Sequence, residues 1–499
     1  MDPAAFSKRT LRPYFKTLMA VKPLGAHAEA ASPTGLRRTL GPWDLLFLGI
    51  GAIIGTGVFV LAGPAAAHHA GPAASLSFAL AGVTAALAGL CYAEMAAMLP
   101  LAGSAYTYAY ATVGELLAFL IGWNLILEYG LAAGMVSVAW SSYAVSALQQ
   151  SFGIALPHAL CHAPFAPSAT TGGLGLSGAY LNVPAVLILL AITGMLCLGT
   201  QLTMRVMGRL VVVKLAVIAL FLLASVPYVR AEHWTPFVPE NTGSFGSFGL
   251  SGVLQAATLL FFSYCGFDAV STAAQECRNP QRDLPRAMLG SIAVAAGVYM
   301  AVTLIMTGVV DYRQLGREDA VSMVLTATGQ TWLSTVVQVG ALTGLSTVML
   351  AQVFGQVRIL FAMASDFLLP KALLHLHPTT AIPRRLTLLV GLSAAAIGGL
   401  FPLEILGELS SVGTLVAFMI VSLGVMLLRL GQPNAPRRFK VPGGAFALPL
   451  LSVGLNGLLL CTAKSQSLLR LAIWMGCGLG IYLLYSRPRS KLRLANAGP

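Results

Sequence analysis

The stretch 49–59, GIGAIIGTGVF, places Gly49, Gly51, Gly55 and Gly57 inside a run that is otherwise apolar enough to lie in a membrane. It has two readings. Small residues at spacing four, Gly51 and Gly55, allow a second helix to pack closely. Alternatively, the GTG triplet marks a break where backbone amides point into a cavity. The stretch 259–276, LLFFSYCGFDAVSTAAQE, shifts the balance, because it sets Gly266 and the acid Asp268 in the middle of another apolar run. Glycine-interrupted spans at the start of two successive five-helix sets point to an inverted repeat, with broken half-helices meeting at the bilayer midplane. Bare N–H groups at a half-helix N-terminus suit a carboxylate, and free carbonyls suit an ammonium. A site with both ends suits a zwitterion, and hence an amino acid.

The rest of the chain agrees with a membrane setting. Of its 499 residues, 57% are hydrophobic and only 9% are charged. A soluble domain carries about 25% charged residues, so most of this surface faces something other than water. A spanning helix needs about 20 mostly apolar residues. On that criterion twelve spans are expected, at 43–66, 73–99, 113–146, 182–200, 208–228, 249–274, 288–310, 332–364, 385–401, 404–430, 445–463 and 468–486. This divides the chain into a basic N-terminal segment, 1–40, and a ten-helix core, 41–430, with repeats at about 41–228 and 249–430. Two additional spans, 431–486, and a basic tail, 487–499, follow. The first forty residues lack an apolar core, so the first span is expected to serve as its own insertion signal.

Charge sets the expected orientation. Of the 30 Lys and Arg, only Arg230, Arg313, Arg317, Lys464 and Arg470 fall on the side opposite the N-terminus, and Lys214 falls within a span. Such a bias expects both termini in the cytoplasm, with the chain in the inner membrane. The formal net charge of +13 is therefore no sign of nucleic acid. The longest outer segment, 147–181, is rich in Gly, Ser, Pro and His and reads as an irregular polar loop. His158, Cys161 and His162 within it lack a fourth ligand, so no metal is expected. The seven cysteines form no CxxC pair, and no disulfide framework or cofactor is implied.

Ionisable residues inside spans cost about 2.5–3.5 kcal/mol each at mid-helix and need an account. Lys214, in GRLVVVKLAVIALF (208–221), either snorkels to the membrane face or is a buried ammonium that occupies a cation site and exchanges a proton. Glu128, in WNLILEYG, either lines the substrate cavity and meets a cation or makes a structural hydrogen bond. Asp268 either caps the second half-helix or gates the inner path. Glu94 and Glu115 lie near cytoplasmic span ends, where solvated or interfacial positions suffice. No P-loop, nucleophile elbow or Cys/His metal spacing is present, so ATP-driven transport and catalysis have no support and no catalytic residue is assigned.

Four segments together resemble the cationic amino acid transporter subfamily of the amino acid–polyamine–organocation superfamily. They are RRTLGPWDLLFLGIGAIIGTGVFVLAGPAA (37–66), WNLILEYGLA (123–132), FFSYCGFDAVSTAAQECRNPQRDLPRAM (261–288) and GQVRILFAMASDFLLP (355–370). The likeness runs over about 35–445. It implies an all-α integral membrane protein of the LeuT-type 5+5 inverted repeat, with broken helices 1 and 6 and alternating access. It further implies that Thr56 and Gly57 receive the substrate carboxylate, and that the carbonyls of Ile53, Phe262 and Cys265 receive its ammonium. Phe262 is then an aromatic lid, Asp268 lies below it at the inner gate, and Glu128 is an acid near the site. Lys214 stands where sodium-coupled relatives hold an ion, reaching carbonyls near Gly51 and Ile54, with Ser346 and Thr347 close by. Gln275, Ser365 and Phe367 depart from the usual pattern, away from that site.

The expectation is a proton-coupled amino acid importer whose partners are the substrate, protons and the bilayer. The rival readings are an exchanger of amino acids or polyamines without net proton flux, and a non-transporting sensor, which would need a soluble output domain. Side-chain preference and oligomeric state are not readable.

Overall fold

The computed structural model describes residues 21–22, 38–167, 174–317, 320–378, 380–463 and 465–496. Most of the 1–40 segment, Lys464 and the last three residues of the tail lie outside them. The described chain is helical apart from one small hairpin. The principal helices are α1 (Pro42–Ile53), α2 (Ala74–Met98), α3 (Glu115–Phe152), α4 (Val183–Leu198), α5 (Thr200–Ser225) and α6 (Gly249–Phe261). They continue as α7 (Pro280–Val309), α8 (Thr331–Ser365), α9 (Arg384–Leu400), α10 (Leu403–Gly431), α11 (Ala447–Cys461) and α12 (Ser465–Ile481).

Eight helical segments among the described residues are long and apolar enough to cross a membrane, and one of them, Pro42–Met98, contains two expected spans. The expected count of twelve is not reached by this measure. The 16 residues of α4, the 17 of α9 and the 15 of α11 rise roughly 22–26 Å at 1.5 Å each, less than a hydrocarbon core of about 30 Å. Elsewhere hydropathy misplaces helix ends. The helix α7 starts eight residues before the expected 288, because Pro280 sits at its first position, where its missing N–H costs nothing.

Packing sorts the helices into two groups. One contains α1, α2, α6 and α7, and the other contains α3, α4, α8 and α9. The helices α5 and α10 contact members of both groups. Exposed leucines and valines lie along the outer surfaces, as at Leu223, Leu389 and Leu469, which is where a bilayer replaces water.

Three further expectations are corrected. Glu94 and Glu115 are not solvated but buried. Glu94 is held by Arg429, Arg437 and the Val441 amide, and Glu115 by Tyr110, Tyr482, Ser490 and Arg493. A carboxylate withdrawn from water needs such partners, and all but Tyr110 come from segments remote in sequence. Arg358, which the charge pattern puts among the cytoplasmic cations, lies within α8 and is 5% exposed. The 147–181 segment is partly ordered. Its first residues extend α3, His158–Cys161 forms a helical turn, and Phe165–Pro167 pairs with Leu174–Leu176. The rings of His158 and His162 stack 4.0 Å apart.

Candidate functional site

Both glycine-bearing spans are broken. The first winds as α1 to Ile53, leaves the helix at Ile54 (φ −74°, ψ 107°) and rewinds from Thr56, with a π-helical turn over Gly57–Leu61. Close approach requires glycine at 57, since a Cβ there would lie 2.5 Å from Ser263 Cβ. The amides of Thr56 and Gly57 open the rewound segment, where N–H groups lack intrahelical acceptors. The other span winds as α6, tightens into a 3-10 turn at Phe262–Tyr264 and turns extended at Cys265. It then passes through Gly266 at φ 116° before a short helix, Ala269–Thr272. Only glycine adopts that φ without strain.

Lys214 reaches the first break from α5. Its side chain is fully buried, and Nζ donates to Ile54 O at 2.7 Å, Ile50 O at 3.1 Å and Gly51 O at 3.2 Å, and to Thr347 Oγ1 at 2.9 Å. These four oxygens surround an ammonium that has three protons. The Thr347 hydroxyl in turn lies 3.0 Å from Gly51 O, tying α8 to the same break. Snorkelling is excluded by this geometry. Ile50 was not anticipated, and Ser346 is not part of the group, since its hydroxyl donates to Leu342 O at 2.7 Å.

The second break gathers acids and phenols. Asp268 Oδ2 accepts from Tyr129 Oη at 2.5 Å, while Asp268 Oδ1 and Glu128 Oε2 are buried without hydrogen bonds among the described residues. Ser410 donates to the main-chain oxygen of Glu128 at 3.1 Å, which fixes that stretch of α3 against α10. Of the expected ammonium acceptors, Ile53 O lies 2.7 Å from Tyr299 Oη and Phe262 O accepts from Cys265 N at 3.0 Å. Sequence reading passed over Tyr129, Tyr299 and Ser263. Their only signal was a polar tip in an apolar run.

A cavity of about 510 Å³ lies at one end of the molecule, between the rewound half of span 1 (Val60, Leu61), α3 (Met135), α6 (Leu259) and α10 (Val412, Leu415). Phe262 is the residue of either break that lines it, with Thr56 and Gly57 buried beyond. Glu404 and Glu408 also line it. At the opposite end the breaks are covered by ion pairs. Arg358 meets Glu276, and Lys22 meets Asp366, which also accepts from Tyr106. The Thr39 and Leu40 amides close over the Glu276 carbonyl. The cavity therefore approaches the breaks from one face, with Phe262 between, and ion pairs cover them on the other.

Residues 40–468 match the family described as amino acid permease. The chain is 43% identical to the branched-chain amino acid permease BcaP of Bacillus subtilis, over 93% of this chain and 96% of that protein. It is 40% identical to the methylthioribose transporter of the same organism, over 95% and 99%. It is 34% identical to human cationic amino acid transporter 4, over 87% of this chain and 65% of that one.

Proposed function

The chain belongs to the amino acid permease family, and from that premise we propose that it imports apolar amino acids such as leucine by proton-coupled alternating access. In this reading it sits in the cytoplasmic membrane as twelve spans, ten of them a 5+5 inverted repeat, with both termini inside. Support for the repeat comes from the packing groups, whose members α1, α2, α6, α7 and α3, α4, α8, α9 recur five apart. Support for an apolar side chain comes from the cavity walls, Val60, Leu61, Met135, Leu259, Val412 and Leu415, and from the branched-chain substrates in the name of the B. subtilis relative.

The substrate carboxylate is received by the Thr56 and Gly57 amides, and its ammonium by the carbonyls of Ile53, Phe262 and Cys265. Phe262 closes over it from the cavity side, and Asp268 and Glu128 face it from below. Lys214 with Ile50, Gly51, Ile54 and Thr347 is the proton site. One observation carries the coupling reading: a fully buried ammonium held by four neutral oxygens, with no carboxylate among its hydrogen-bond partners. Its charge is compensated only by dipoles, so gain or loss of a proton changes how tightly α1, α5 and α8 are tied together. An external proton charges Lys214 and steadies the broken helix for loading, and its loss on the inner side favours release.

The test is uptake of labelled leucine into proteoliposomes by the native protein and Lys214→Ala, with and without an inward proton gradient, together with counterflow. Loss of gradient-driven accumulation with counterflow retained is expected. Accumulation at the native level by Lys214→Ala defeats the mechanism, and native counterflow indifferent to the gradient favours an exchanger.

A further inference from the structure

Tyr299, in the middle of α7, has no solvent exposure, and its hydroxyl lies between the two helix breaks. Its Oη is 2.7 Å from Ile53 O and 2.8 Å from Ser263 O. Ile53 is the last residue of α1, and Ser263 lies in the turn that finishes α6, so these carbonyls end the wound halves of both broken spans. The phenol carries one proton and can donate to one carbonyl at a time. The second carbonyl is approached by an oxygen with no proton between them, an unfavourable arrangement for two buried oxygens. An ammonium has three protons and removes that deficit.

The phenol does not owe its position to these hydrogen bonds. Its ring packs 4.9 Å from Phe78 and 5.2 Å, edge-on, from Tyr264, whose own hydroxyl is committed to Phe78 O at 2.9 Å. Apolar packing therefore sets where Oη stands. A second observation points to the same spot: Ser263 Oγ is buried and has no hydrogen-bond partner among the described residues. Ser263 and Tyr299 both press on Gly57, where an added Cβ would lie 2.7 Å from Ser263 Oγ and 2.9 Å from Tyr299 Cζ. A carbonyl pair short of one proton and an unpaired hydroxyl thus adjoin the amide end of the rewound helix.

We infer that Tyr299 is a positioning residue for the α-ammonium of the substrate, fixing the Ile53 carbonyl, one of the acceptors proposed above, and adding the Ser263 carbonyl to that set. The inference rests on the amino acid site proposed above and adds to it the requirement for a primary, triply protonated amine. N-methylation removes one donor and should be penalised in the native protein.

The experiment compares the full-length native protein with Tyr299→Phe, which keeps the ring, in proteoliposomes. It measures KM and maximal rate for leucine, and inhibition by N-methyl-leucine. Tyr299→Phe should raise KM for leucine about tenfold with the maximal rate changed less than about threefold, as expected when a buried polar contact is lost from recognition. The preference for leucine over N-methyl-leucine should shrink by about the same factor. Tyr264→Phe, the neighbouring phenol, should leave that preference intact. Native KM in Tyr299→Phe, or equal weakening towards both ligands, overturns the positioning role. If Tyr299→Phe does not reach the membrane, 3-fluorotyrosine at position 299 preserves shape and donor. Its fluorine resonance should move with leucine and not with N-acetyl-leucine, and a resonance indifferent to leucine overturns the inference. Failure of the native protein to bind leucine overturns the site proposal itself, whereas native binding unaffected by Tyr299→Phe overturns this inference alone.

Discussion

Arg358 of α8 and Glu276, just beyond the second helix break, meet at 2.9 Å with the guanidinium and carboxylate almost wholly withdrawn from solvent. The guanidinium also lies over the Phe354 ring at 3.4 Å and donates to Thr200 at 3.2 Å. The pair therefore joins one packing group to the other at the face away from the cavity. In an alternating-access cycle this contact must part when that face opens.

Removing one partner should open that face. Glu276→Gln leaves a buried guanidinium without its countercharge, a loss of about 3–5 kcal/mol for a buried pair. Labelling of the adjacent Cys277, fully buried in this state, by a membrane-permeant maleimide should then rise at least tenfold, read by mass spectrometry of its peptide. Combining Glu276→Gln with Arg358→Met should restore much of the protection, since an apolar replacement of both partners is far less costly than a lone charge. Unchanged labelling in Glu276→Gln refutes the latch.

Thr347 should matter to coupling more than to exchange. Thr347→Ala takes one of the four oxygens from Lys214 and the hydroxyl from Gly51 O. A hydrogen bond to a charged group contributes about 1.5–3 kcal/mol, so gradient-driven uptake should fall about tenfold or more while counterflow changes little. Thr347→Ser should recover most of it. An equal loss of both activities in Thr347→Ala would instead mean that the threonine only supports the fold.

Gly57→Ala should cripple uptake through geometry alone. The new methyl meets Ser263 Cβ at 2.5 Å and the Tyr299 ring at 2.9 Å, an overpacking of about 1–3 kcal/mol at the amides assigned to the carboxylate. Adding Ser263→Gly removes the nearest atom and should return part of the thermal stability. Native stability and KM in the single variant would show that the break has more room than the structure allows.

Phe262→Ala should join the cavity to the break. Its ring borders the cavity on one side, so the loss of stability should be smaller than the about 3–5 kcal/mol typical of a fully packed phenylalanine. The effect should appear in binding, as a rise in leucine KM of at least tenfold and faster dissociation of bound leucine. A variant with native KM would remove Phe262 from the role of lid.

Much of this protein is legible from local sequence. Gly55 and Gly57 in one apolar run, and Gly266 before Asp268 in another, locate both helix breaks. An interruption there depends on backbone preference and on the absence of a side chain, which are properties of those residues themselves. Lys214 is legible as an anomaly, because an ammonium in a span is too costly to be incidental. Its acceptors were foreseen only through family likeness, and Ile50 and Ser346 show the limit of that route. Which carbonyl turns towards the ammonium depends on where the helix actually unwinds.

What sequence determined alone is the class of molecule: a helical membrane protein, apolar on its outer surfaces and interrupted at two defined points. Tertiary structure decided who answers each buried polar group. Glu94 and Glu115, readable as interfacial, are enclosed chiefly by groups from distant segments, Arg429, Arg437, Tyr482 and Arg493, and Tyr299 of α7 ties the end of α1 to the turn that ends α6. Apolar periodicity is written in consecutive residues, because every side chain there seeks the same surroundings. A hydrogen bond needs one particular partner within about 3 Å, and that partner is chosen only when helices far apart in sequence pack against each other.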